Sequence, residues 1–119
     1  MKCLDTYVLI EIHDENPNFL KYLNQEFIIP EIIMAEFYEI ILRNYNEQTA
    51  NYVLEKFRHF ITPVKMEILI KAVKFRHENK KQNLSFFDCV GYIFALENKM
   101  KFVTGDKEFK DKENVEFIK

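Results

Sequence analysis

Four short apolar segments, spaced out along the chain by stretches of helical periodicity, constrain this sequence more than any other feature. Lys2-Cys3-Leu4, Phe27-Ile28-Ile29, Lys101-Phe102-Val103 and Val115–Ile118 have the length and composition of strands. Between them lie helical patterns through Val8-Leu9-Ile10, around Phe19–Leu23 after Asn16-Pro17, from Glu31 to about Asn44, from about Glu47 to Phe60, and from Ser85 to about Asn98. A further, basic helix carries Ile68, Leu69, Ala72, Val73 and Phe75 near one face, and Ile61–Val64 reads as a brief extended piece. Pro30 stops the second strand and suits the start of the next helix, where its missing N–H costs nothing. Short strands alternating with helices predict an α/β fold, a mostly parallel central sheet flanked by helices.

At 119 residues, without repeats, low-complexity tracts or Pro/Gly/Ser linkers, residues 1–119 are expected to form one domain. Its 48% hydrophobic content, with 12 Phe, is ample for a core and argues against disorder. No apolar run approaches the ~20 residues needed to cross a bilayer. The acid at position 5 also comes too early for a signal peptide, so a cytoplasmic protein with no membrane association is expected. Cys3 and Cys89 lie in apolar stretches without a CxxC pattern and read as buried free thiols. His13, His59 and His77 occupy polar helical contexts and read as surface residues. From Lys56 to Lys81, eight Lys/Arg face two acids, Glu67 and Glu78. This segment is therefore +6 within a chain of net charge −2, which leaves −8 elsewhere. Such a segment suits either a phosphate backbone or a solvated helix face, and the sequence leaves both open.

The acidic residues carry the chemistry. In parallel sheets, ligands bind beyond the carboxyl ends of the strands. Asp5 follows the first strand directly, and Asp106 follows Val103 through Thr104-Gly105. If those strands are neighbours, two carboxylates converge. Glu36 lies in an apolar helix, on a stripe about 60° wide with Glu39 and Arg43. That stripe could equally be an exposed one held by an i,i+4 pair, and periodicity does not settle it. Asp88 stands three residues after Ser85, the spacing of a capping box, so capping and a site role both remain open. The helix it begins is otherwise apolar, which would bring its N-terminal end near the sheet edge. There are two glycines. Gly91, in a helix interior at a cost of ~1 kcal/mol relative to Ala, implies a close backbone approach. Gly105 is expected to let the chain turn sharply before Asp106. Clustered carboxylates repel one another unless a cation neutralises them. An all-oxygen set suits Mg²⁺ or Mn²⁺ better than zinc, and such ions activate water against phosphodiesters.

Four segments, taken in order, resemble the PIN domain family and within it the VapC-like toxins: Leu4–Ile10, Pro30–Glu36, Leu84–Asp88 and Phe102–Phe109, with a terminal strand similar to Val115–Ile118. The resemblance spans essentially the whole chain. It implies a PIN-like three-layer α/β sandwich and endoribonuclease activity with Mg²⁺ or Mn²⁺. It also implies the toxin role of a type II toxin–antitoxin pair, with an RNA substrate, a small antitoxin partner and frequent homodimers. Asp5, Asp88 and Asp106 would be metal ligands, and Glu36 would complete the shell or orient the water. Thr104 would hold the Asp106 turn by hydrogen bonding. Asp111, between two lysines, is expected at the surface. Tyr7 departs from the family, which usually has a small polar residue there. The alternative reading is a degenerate PIN fold that binds RNA or protein without catalysis. A haloacid-dehalogenase-like phosphatase is disfavoured, because that chemistry needs an acid where Tyr7 stands.

Overall fold

In the computed structural model, which describes residues 1–119, the chain runs β1 (Lys2–Leu4), α1 (Thr6–His13), β2 (Phe27–Pro30), α2 (Glu31–Asn44), α3 (Glu47–Phe57), β3 (Ile61–Thr62), α4 (Met66–Glu78), α5 (Phe86–Glu97), β4 (Lys101–Thr104) and β5 (Val115–Phe117). Short 3-10 turns occupy Leu20–Asn24, Arg58–Phe60 and Lys107–Phe109. The strands form one sheet in the order β3-β2-β1-β4-β5, parallel throughout. From β1 the chain works outward to β2 and β3, then crosses to β4 and β5 on the other side. The sheet order therefore reverses between β1 and β4, the place where open α/β sheets leave a crevice.

A parallel sheet is stable when both faces are covered. Cys3 and Leu4, whose side chains point to opposite faces, are both fully buried, and so are Phe102 and Val103. The architecture is the three-layer α/β sandwich expected from the sequence. α5 packs close to the sheet because Gly91 permits it. A Cβ at that position would lie 2.7 Å from both Ile33 Cδ1 of α2 and Phe102 Cε1 of β4. Both cysteines are buried and free. No helix is long and apolar enough to cross a membrane.

Several details depart from the sequence pattern. The sheet is parallel throughout rather than mostly so, and it gains a fifth strand, β3, which pairs Ile61 with Ile29 and Thr62 with Pro30. Two residues are too few to show a strand period. The helix expected to reach Phe60 tightens to a 3-10 turn after Phe57, and the Phe19–Leu23 segment is a 3-10 turn as well. On α4, Ile68 and Ala72 are buried and Phe75 half-buried, but Val73 is 51% exposed. At ~100° per residue, Val73 lies about 140° from Ile68, outside the stripe that meets α5. His59 and His77 are exposed, as expected. His13 instead is half-buried, its ring edge-on to Phe37 (6.4 Å) and Tyr45 (5.4 Å).

With both glycines committed elsewhere, two helices end on larger residues in the left-handed conformation. After α5, Lys99 (φ 56°) donates to the Leu96 carbonyl at 3.3 Å, and Met100 donates to that of Ala95 at 2.8 Å. After α1, Glu15 (φ 59°) and Asn16 repeat the pattern onto Ile12 and Glu11, both at 3.0 Å. These are Schellman motifs, in which glycine is the usual C′ residue. A left-handed conformation costs an L-residue about 1–2 kcal/mol, part of which glycine returns as extra freedom in the unfolded chain. Lys99→Gly is therefore expected to stabilise the protein by about 0.5–1 kcal/mol, read by denaturant unfolding with an unchanged m-value.

Candidate functional site

β1 and β4 end side by side, and the backbone N–H of Asp5 donates to the Val103 carbonyl at 3.2 Å. The Asp5 side chain, 1% exposed, caps α1, its Oδ1 accepting from the Val8 N–H at 2.9 Å. At the end of β4, the buried Thr104 hydroxyl oxygen accepts from the Asp106 N–H at 3.0 Å. Asp106 Oδ1 in turn accepts from the Glu108 N–H at 3.0 Å, capping the 107–109 turn. α5 begins next to these two corners. There the Ser85 Oγ caps the helix by accepting from the Asp88 N–H at 3.0 Å, so Ser85 does the capping and the Asp88 carboxylate is free for another role. Glu36 reaches in from the middle of α2. It is half-buried, and its Oε1 accepts a hydrogen bond from the Thr6 hydroxyl.

Asp5, Glu36, Asp88 and Asp106 thus line one cavity of about 280 Å³, together with Thr6, Tyr7 and Ser85. None of the four is in an ion pair. The one cationic side chain at the rim is Lys119. Burial is the main cause that pushes the Asp5 carboxyl up to about 7. The Thr104 hydroxyl and Val8 N–H oppose the shift, and the charges of Asp106 and Glu36 add to it. Asp88 is pushed up to about 8, again mainly by burial and then by the charges of Asp5, Asp106 and Glu36. Glu36 is raised by burial, against the bond from Thr6 and with a push from Glu39. At the starts of α1 and the 107–109 turn, the Val8 and Glu108 N–H groups donate to Asp5 and Asp106 and offset part of the repulsion.

The carboxylates do not form a ready-made chelate: no three His, Cys, Asp or Glu side chains are set closely enough around one point to hold a metal ion. Their chemistry nevertheless fits a hard divalent cation. The donors are all oxygen, Asp5 is buried and the other three acids are half-buried, and their repulsion is relieved either by protons or by such an ion. Asp111 is exposed and stands apart from the cavity. Thr6, Ser85 and Lys119 belong to the cavity lining without having stood out as site residues. Thr6 follows the strand-end acid directly, and that adjacency was its only signal.

Gly105 has a different role from the one expected. No glycine in the chain has positive φ, so no special turn conformation is needed there. What is needed is room. A Cβ on Gly105 would lie 2.2 Å from Tyr7 Cε1, 2.4 Å from Tyr7 Cδ1 and 2.9 Å from the Ile118 carbonyl oxygen. The Tyr7 ring lies over this glycine at the cavity rim, edge-on to Phe19 at 5.7 Å.

A family model described as PIN domain matches residues 2–115. No curated protein matches the chain. Among solved structures, similarity extends along nearly the whole length. A toxin–antitoxin complex from Klebsiella pneumoniae is 21% identical with a TM-score of 0.77, covering 98% of this chain and 96% of its own. Mycobacterium tuberculosis VapC20, described as a Sarcin-Ricin loop cleaving toxin, is 10% identical with a TM-score of 0.80, covering 99% and 97%. VapBC2 from Rickettsia felis, bound to a DNA fragment from its promoter, is 18% identical with a TM-score of 0.79, covering 99% and 98%.

The raised carboxyls make stability depend on pH. Each binds a proton more tightly in the folded chain than in the unfolded one. Their contribution is therefore fully present below about pH 4 and is lost as pH rises through about 7 and 8. The metal-free protein is expected to melt lower at pH 8.5 than at pH 5.5. A loss of 1 kcal/mol corresponds to about 4 °C in a domain of this size. Asp88→Asn should flatten that slope and raise the melting temperature at pH 8.5. Scanning calorimetry in chelator across this range checks both, and a steeper profile in the variant would refute the repulsion account.

Proposed function

The chain belongs to the PIN domain family, and from that premise we propose that it is a metal-dependent endoribonuclease, the toxin of a toxin–antitoxin pair. One observation supports this reading above the others: four carboxylates from four separate elements, none of them in an ion pair, converge in the crevice where the sheet order reverses. The structural neighbours include a toxin described as cleaving the Sarcin-Ricin loop and a toxin–antitoxin complex. A small antitoxin is accordingly the proposed partner, RNA the proposed substrate, and a homodimer over one domain, residues 1–119, the proposed working form.

In this reading Asp5, Asp88 and Asp106 hold Mg²⁺ or Mn²⁺. When bound, such an ion polarises the phosphodiester and lowers the pKa of an attacking water. The chain's own residues do the rest. The cap onto Val8 fixes Asp5, and Thr104 fixes the turn that presents Asp106. Thr6 holds Glu36 by Oε1, which leaves Oε2 to accept a proton from the attacking water. The helix N-termini around the cavity favour the negative charge that builds up on the phosphate during attack.

Asp5→Asn keeps an oxygen to cap α1 but removes a charge from the cluster. It is expected to lower RNA cleavage at least ~100-fold while leaving the fold and the melting temperature intact or higher. A fluorogenic single-stranded RNA, assayed with Mn²⁺ and again after chelation, provides the measurement. Full activity in purified Asp5→Asn protein, or activity indifferent to chelator, would overturn the assignment. A protein that binds RNA but never cuts it would support the non-catalytic alternative instead.

A further inference from the structure

A second cavity, about 410 Å³, lies on the other side of the loop that leads into α5. Its polar lining comes from the C-terminal end of α4 and the loop after it: Arg76, His77, Lys80, Gln82 and Asn83, with Phe86 at one wall. This is the end of the basic segment whose purpose the sequence left open. Neither Arg76 nor Lys80 has an acidic partner, since the chain's four ion pairs all lie elsewhere. The cavity is also built rather than loose. The Arg76 Nε donates to the Leu84 carbonyl at 2.9 Å, which orients the guanidinium and leaves both terminal nitrogens free. Lys112 donates to Gln82 Oε1 at 3.1 Å, which ties the loop down and leaves the Gln82 amide nitrogen to donate outward.

The two cavities are contiguous along the chain. Leu84 and Phe86 line the basic one, while Ser85 and Asp88 line the acidic one. Phe86 and Phe87 are both half-buried at this seam, with ring centroids 6.4 Å apart. Free cations beside a partly exposed aromatic are what a flexible polynucleotide requires: charge for its phosphates and a flat face for a base. An acidic peptide would find the same cations but no use for the neighbouring carboxylates. A phosphodiester chain is drawn to them as well, once a divalent ion sits there.

We propose that this cavity is a phosphate cradle for a single-stranded polynucleotide on its way into the acidic site, RNA under the reading above, on which the inference rests. Arg76 and Lys80 contact backbone phosphates, His77 and Gln82 add hydrogen bonds, and Phe86 carries a base. The strand then passes over the N-terminus of α5 to place its next phosphate at Asp88.

The test is fluorescence anisotropy with a labelled uridine 12-mer in EDTA across a range of NaCl concentrations, the probe being verified intact by gel. Arg76→Gln/Lys80→Gln is expected to weaken binding about 10-fold at low salt. It should also make the slope of log K against log salt shallower by about 1.4, since each phosphate contact to a single strand contributes ~0.7. His77→Gln/Lys80→Gln keeps the Arg76 bond to Leu84 and so separates cradle loss from loop damage; it too should weaken binding and lower the slope. Lys21→Gln/Lys56→Gln, on elements that do not border the cradle, should change neither. Unaltered affinity and slope in both cradle variants would overturn the proposal. So would an equal loss in the control, or equal competition by a 12-residue polyaspartate, which would make the cavity a site for an acidic protein. The two readings fail separately. RNA cleavage with normal binding by the cradle variants removes the cradle alone, whereas binding with the expected salt slope but no cleavage removes only the nuclease.

Discussion

Parallel pairing of β1 with β4 sets Lys2 opposite Lys101, Cys3 opposite Phe102 and Leu4 opposite Val103, and most of what matters in this molecule is arranged around that ladder. It brings two strand ends together although they lie about a hundred residues apart in sequence. The N–H of Asp5 is spent on the Val103 carbonyl, so the first acid cannot drift from the second strand. The same ladder puts Phe102 where it meets the face of α5 at Gly91, and α5 brings Ser85 and Asp88. Had β1 and β4 been separated by another strand, the corners bearing Asp5 and Asp106 would stand about 10 Å apart, each strand spacing being about 4.8 Å.

Two of the four acids, and the residues that steady the cluster, also serve the local structure. Asp5 and Asp106 cap helical turns, Ser85 caps α5, and Thr104 and Thr6 hold other groups in place. The capping bonds recover part of what burying the carboxylates costs. Local stability and the geometry of the acids are the same set of hydrogen bonds.

How far the sequence discloses this varies with the type of signal. Asp5 and Asp106 were legible because a strand end is visible in an apolar run, and the crevice rule converts strand ends into site positions. Asp88 was ambiguous because its spacing from Ser85 serves capping equally well. Only the three-dimensional neighbourhood separates the serine that caps from the acid that faces the cavity. Glu36 could not be told from Glu39 by periodicity, since both lie on one stripe; the difference is the Thr6 hydroxyl, contributed from thirty residues away. β3 was invisible as a strand because two residues have no period, and Val73 was misplaced because α4 meets its neighbour along a narrow line. Gly105 was found but misread: rarity in composition points to a constraint without saying whether it is one of angle or of space.

That last constraint reaches beyond folding. Tyr7 lies in the first turn of α1 and Gly105 just past the end of β4, yet the ring of one occupies the volume that any side chain on the other would need. Over evolutionary time the two positions are not free to vary independently. While the ring keeps this place, a side chain at 105 requires residue 7 to move or shrink and the Ile118 carbonyl to give way as well. The bulky residue at the mouth of this cavity is thus a historical commitment as much as a local contact, and it narrows the set of neighbouring sequences from which new substrate preferences can be reached.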